Sequence, residues 1–216
     1  MSEQFTRGRK SQLSALTAAT DLQIGIQLTA PGATWDISCF CLDPGGNLAD
    51  DRYLVFYNQP QSPDGSVRKL GAQGGDAEVF QVRLGQVEGT IGRLSFCAAL
   101  DGPGTASQIQ SGYLRIVVDG SEVMRYAFTG ADFGTERAIM IADLYRKGVW
   151  RVGAVGQGFA GGLADLIRSF GGTVDDEPAP APPAPTPPPT YAAPPGPPMQ
   201  PGPPMPPPPV QPPVQP

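Results

Sequence analysis

The 216-residue chain contains no histidine. That absence removes the side chain whose ordinary pKa lies nearest neutrality. It excludes Ser-His-Asp and Cys-His nucleophile systems, and zinc or haem sites that depend on imidazole. Only three cysteines occur, Cys39, Cys41 and Cys97, too few for a disulfide framework and lacking the spacing of a four-thiolate zinc site. There is no run of 18 apolar residues to span a membrane. The opening stretch, Met1 to Lys10, is polar and basic without the apolar segment of a secretion signal. A cytoplasmic protein with no transmembrane segment is therefore expected. Long basic runs are missing too, and 15 Lys and Arg against 20 Asp and Glu give a net charge of -5. Such a field repels phosphate backbones, so nucleic acid is not an expected partner.

Charge is absent altogether beyond Glu177, where 22 of the 27 prolines crowd between Pro178 and Pro216. Proline lacks the amide N–H and fixes φ, so this segment is expected to be a disordered polyproline tail. Pro195-Gly196-Pro197-Pro198-Met199 is echoed six residues later by Pro201-Gly202-Pro203-Pro204-Met205. Glycine at every sixth position fails the every-third requirement of collagen. The expected organisation is one domain over 1–177 and a tail over 178–216 that acts as a spacer or docks a partner protein.

Within the first 177 residues the apolar pattern is that of strands. Leu22, Ile24, Ile26 and Leu28 alternate with Gln23, Gly25 and Gln27, the period of a strand with one buried face. Similar runs occupy Trp35 to Leu42, Tyr53 to Tyr57, Val79 to Leu84, Leu94 to Leu100 and Tyr113 to Val118. On such a strand Cys39 and Cys41 share a face with Trp35 and Ile37 and serve as small core residues. Asp119-Gly120 supplies a turn able to take positive φ before Glu122 to Phe128 returns as the second arm of a hairpin. Ala138 to Leu144 and Val149 to Val155 form a further antiparallel pair. The spacing predicts one short helix, Gly161 to Phe170, whose stripe of Leu163, Leu166, Ile167 and Phe170 packs on the sandwich edge before Gly171-Gly172 stops it. Many short strands punctuated by Gly, Pro and Asp predict an all-β fold, a β-sandwich of two mainly antiparallel sheets with a short C-terminal helix.

Chemistry concentrates in Phe56-Tyr57-Asn58-Gln59-Pro60-Gln61-Ser62-Pro63-Asp64-Gly65-Ser66, followed by Gly71 and by Gly74-Gly75-Asp76-Ala77-Glu78. Amide, hydroxyl and carboxylate oxygens in a loop that can turn sharply suit a hard cation such as calcium, which takes six to eight oxygens. Asp36 is a carboxylate able to join from a neighbouring strand. The same residue types also build ordinary surface turns. Asp36, Asp64, Asp76 and Glu78 could supply paired carboxylates for a hydrolase, yet no nucleophile with a partnered base accompanies them, so an enzyme is the least expected class.

Phe56-Tyr57-Asn58-Gln59, Ser62-Pro63-Asp64-Gly65-Ser66 and Gly71 resemble the signature of the TerD family of bacterial tellurite-resistance and stress proteins. Phe5-Thr6-Arg7-Gly8-Arg9-Lys10 resembles the family's opening and Trp35-Asp36-Ile37-Ser38-Cys39-Phe40 its acidic strand. Ala138-Ile139-Met140-Ile141-Ala142-Asp143-Leu144-Tyr145-Arg146 and Trp150 to Leu163 resemble its closing strands. The resemblance implies a non-enzymatic, calcium-binding sandwich acting in bacterial stress responses with other proteins, including Ter-type stress proteins and membrane-associated complexes. Its implied calcium ligands are Asp36, Asn58, Asp64, Gly65, Ser66, Asp76 and Glu78, the two loop residues Gly65 and Ser66 through backbone oxygens. Thr34, Gly71-Ala72-Gln73 and Asp76-Ala77 stand where the family carries further acidic groups. Those departures favour the alternative of a calcium-independent interaction scaffold.

Overall fold

A computed structural model describes residues 2–174 of the chain; the expected polyproline tail lies outside the described residues. Twelve strands form two six-stranded sheets. The first contains β1 (Glu3–Phe5), β3 (Asp21–Thr29), β6 (Val67–Gln73), β7 (Asp76–Arg83), β9 (Ser111–Val118) and β10 (Ser121–Phe128), in the order β1-β10-β9-β3-β7-β6. The second contains β2 (Lys10–Gln12), β4 (Thr34–Leu42), β5 (Leu54–Val55), β8 (Arg93–Asp101), β11 (Ala138–Lys147) and β12 (Val149–Phe159), ordered β2-β12-β11-β8-β4-β5. All neighbours are antiparallel except β1 and β10.

Alternation places the core. Leu22, Ile24 and Ile26 of β3, Leu114 and Ile116 of β9 and Phe80 and Val82 of β7 point from the first sheet into one apolar cluster. They meet Ile37, Cys39 and Cys41 of β4, Leu94, Phe96 and Ala98 of β8 and Ile139 and Leu144 of β11. The Cys39 and Cys41 side chains are thus core, as their spacing implies. Several of the intervening residues of β4 and β8 are apolar too, because that face of the second sheet is also largely covered; Asp36, Ser38 and Ser95 are polar exceptions. Phe40, Leu42, Cys97 and Ala99 form a second cluster with Met140, with Leu166 of the helix α1 (Leu163–Ser169) and with Phe170 just beyond its end. Strands buried on both faces read as continuous apolar runs rather than alternating ones.

The helix differs from expectation in one respect. It lies over the outer face of the second sheet rather than at an edge, burying Leu166 and Phe170 but leaving Leu163 45% exposed. The hairpin joining β9 to β10 turns at Asp119 (φ 49°) and Gly120 (φ 76°), both left-handed as the Asp-Gly pair requires.

Candidate functional site

The loop from Ser62 to Ser66 is closed by its own aspartate. Asp64 Oδ1 accepts hydrogen bonds from the Ser62 hydroxyl (2.6 Å), the Ser66 hydroxyl (2.8 Å) and the Ser66 amide (3.0 Å), and Oδ2 accepts one from the Glu88 amide at 3.2 Å. Burial works against the charge, but these donors outweigh it and hold the carboxyl below its ordinary pKa. Gly65 sits at φ 68° between them, a conformation that glycine takes without Cβ strain. Three of its four hydrogen bonds come from the turn it organises.

Asp76 and Glu78, two apart on β7, would share a face under simple alternation. They do not, because β6 and β7 are out of step: Gln73 pairs with Asp76 while Gly71 pairs with Val79. The extra residue on β7 is a bulge that re-aims side chains. Asp76 turns onto the outer face of the first sheet, over Gly25, and is gripped by Arg115. Nε lies 3.1 Å from both carboxylate oxygens and Nη2 2.9 Å from Oδ2, while the Tyr113 hydroxyl donates to Oδ1 at 2.9 Å. A Cβ on Gly25 would lie 2.1 Å from Asp76 Oδ2, so only glycine leaves room for this carboxylate. Glu78 instead pairs with the Lys69 ammonium and accepts the Gly71 amide at 2.8 Å. Lys69 also reaches the Ile37 carbonyl of the opposite sheet at 3.4 Å.

The remaining two residues of the calcium set lie apart from these. Asp36 is exposed on the outer face of the second sheet, where it lines an apolar recess with Leu54, Phe56, Tyr57, Ala99 and Leu163. Asn58 occupies the exposed tip of the tight turn closed by Phe56 and Gln59. Asp64, Ser62 and Ser66 are brought together, but Asp36, Asp64, Asp76 and Glu78 do not converge. Among the described residues no three acidic or thiol side chains are grouped to hold a metal ion. With Asp76 on Arg115 and Glu78 on Lys69, the set as arranged does not fit calcium, whose affinity rests on several unshared oxygens.

Two features escape sequence reasoning. One is the ionic ladder on the first sheet, where Arg115 also approaches Glu122 and Glu122 pairs with Arg125, whose guanidinium stacks 4.0 Å from the Tyr113 ring centroid. The other is Asp143, buried on the outer face of the second sheet, hydrogen-bonded by the Ser95 hydroxyl and 3.7 Å from Arg93. Burial raises its pKa against the opposing effects of Ser95, Arg93 and Lys10. Asp143 stands out from the apolar residues before it only by breaking their run.

The sign of that shift makes a prediction. Burial penalises the ionised form, so Asp143 weakens the fold above its raised pKa and stops doing so once pH falls below the ordinary carboxylate value. Asp143→Asn keeps an acceptor for Ser95 without the charge. Its melting temperature should exceed that of the parent at pH 7, and the gap should close towards about pH 4. A gap independent of pH would place the effect in packing rather than charge.

The TerD domain model matches residues 1–170. Over 148 residues the chain is 34% identical to the tellurium resistance protein TerD of Alcaligenes sp, covering 63% of this chain and 77% of that one. It is equally identical over 148 residues to general stress protein 16U of Bacillus subtilis (strain 168), covering 63% and 76%. The crystal structure of a homologue of telluride resistance protein from Streptomyces coelicolor A3(2) superposes with a TM-score of 0.56 at 17% identity, covering 68% of this chain and 95% of that one. The match runs through both sheets and the helix, and the chain belongs to the TerD domain family.

Proposed function

We propose that this protein is a non-catalytic, cytoplasmic module of the bacterial stress and tellurium resistance response, and that it works as a calcium-independent scaffold binding other proteins. The observation that carries this is the prior commitment of the buried carboxylates: Arg115 holds Asp76 and Lys69 holds Glu78. Internal cations stand where an ion would have to be admitted, and displacing them would leave two basic groups beside it. The three free, buried cysteines suit a reducing compartment. No helix among the described residues is long and apolar enough to cross a membrane.

Calcium binding is the competing proposal, carried by the family resemblance of Asp36, Asn58, Asp64, Gly65, Ser66, Asp76 and Glu78. Thermal melts of the full chain with chelator and with millimolar calcium separate the two. A ligand at a hundred times its dissociation constant adds about 2.7 kcal/mol, which raises the midpoint of a domain this size by roughly 5–11 °C. An unchanged midpoint is the expected result. A rise that Asp64→Ala abolishes would replace the scaffold with the calcium module.

A further inference from the structure

On an acidic protein, the outer face of the second sheet carries a basic groove. Its volume is about 770 Å³, within the range of small-molecule sites. The sheet register builds it from distant parts of the chain. One cross-strand row runs Lys10, Gly153, Asp143, Ser95, and the adjacent row runs Gln12, Arg151, Tyr145, Arg93. Lys147 stands one outward position further along β11 and also lines the groove. Four cations and a single carboxylate thus line the groove. Arg93 approaches that carboxylate, whereas Lys10, Lys147 and Arg151 make no ion pair among the described residues. Cations gathered on adjacent strands repel one another, and an anion between them relieves that repulsion.

The floor is shaped for an occupant. Gly153 lies directly opposite Asp143, in the middle of a strand where a larger residue would ordinarily strengthen the sheet. A Cβ there would meet Lys10 Cγ at 3.4 Å and Tyr145 Cε1 at 3.6 Å, ordinary contact distances. The glycine is therefore not demanded by crowding, and what it provides is the depth of the groove. Beside it, Asp143 uses one oxygen for the Ser95 hydroxyl and leaves Oδ2 with no hydrogen bond, 3.7 Å from Arg93.

We propose that this groove binds a small phosphorylated molecule, its phosphate held by Lys10, Arg151, Lys147 and Arg93 and a hydroxyl of its body donating to Asp143. The surrounding cations supply charge-assisted hydrogen bonds to the phosphate oxygens. The carboxylate selects a donor-bearing body over a bare anion. This site shares no residue with the calcium set, so it stands or falls independently of the scaffold proposal.

Calorimetric titration of the full chain with ribose 5-phosphate, inorganic phosphate and ribose tests it. Saturable binding of ribose 5-phosphate at millimolar concentration or tighter is expected, with none of ribose. Tighter binding of the sugar phosphate than of inorganic phosphate supports the organic ligand; equal affinities overturn the part given to Asp143 and leave a site for the bare oxyanion. Lys10→Gln and Arg151→Gln should each weaken binding about tenfold, the loss of one charge-assisted hydrogen bond. Gly153→Val should abolish it while the protein melts cooperatively. Absence of saturable binding by both phosphates overturns the proposal, as does undiminished affinity in Gly153→Val. Binding of duplex DNA without binding of either small phosphate also overturns it and makes the groove a nucleic-acid surface.

Discussion

Arg115→Met should destabilise the protein by about 3–5 kcal/mol, the range for breaking a buried ion pair by removing one partner. The Asp76 side chain is 4% exposed and the Arg115 side chain 21%, so loss of the guanidinium strands a carboxylate that water reaches poorly. Tyr113 alone would remain as a donor to it. Most of the loss comes from the stranded charge and little from attraction forgone, and a second substitution separates the two. Asp76→Leu combined with Arg115→Met removes both charges and keeps apolar volume over Gly25. The double variant should recover most of the lost stability, because well-packed apolar replacements of buried pairs are often neutral or stabilising. Urea denaturation of the two single variants and the double variant measures the coupling. A double variant no more stable than Arg115→Met would mean that the ionic ladder with Glu122 and Arg125, rather than the buried charge, carries the effect.

That pair also marks where the sequence stops being informative. The carboxylates were visible as chemistry, and Asp76 and Glu78 were legible as candidates. Their partners were not. Arg115 lies 39 residues from Asp76 and meets it because β9 and β7 both flank β3, a topology that no local pattern encodes. Lys69 is nearer, but it meets Glu78 only because its pairing with Phe80 puts both side chains on the inner face of the first sheet, while the bulge sends Asp76 to the other face. The two acidic residues therefore read as one site and are in fact two separate ion pairs. The basic groove was hidden for the same reason: Lys10, Arg93, Lys147 and Arg151 form no run in the chain, and only the strand order gathers them.

The fold was more legible because its signal is periodic. Strands β3, β9 and β10 alternate since one face is buried and the other wet, whereas β4, β8 and β11 read as apolar runs since both faces are covered. Strands β1, β2 and β6 carry no such signal. Two have three residues, and all three lie at sheet edges, where polar residues are tolerated. In β6, Arg68 and Lys69 interrupt any apolar pattern although Lys69 is turned inward. The helix stripe was recognisable by spacing, but its seat over β11 and β12 depended on the second apolar face of that sheet. The excess of apolar residues in β4 and β8 was the available clue.

Phe96→Ala should be the most damaging single truncation between the sheets. Phe96 is 1% exposed and meets Phe80 of the opposite sheet edge-on, with ring centroids 5.6 Å apart. Its strand, β8, is hydrogen-bonded on both sides, to β4 and to β11, so the backbone cannot close around the cavity. A poorly collapsing aromatic cavity costs about 3–5 kcal/mol, which for a domain this size lowers the midpoint by roughly 6–20 °C. Phe170→Ala offers the contrast. That ring packs against Phe40 at 5.0 Å but stands just past the end of α1, where a seven-residue helix can shift to fill the space. Its cost should be clearly smaller than that of Phe96→Ala when both are measured by urea denaturation with unchanged slope. Equal costs would mean that the helix and its cluster are as rigidly held as the inter-sheet core. In that case the outer face of the second sheet, from α1 to the basic groove, would unfold only with the sandwich itself.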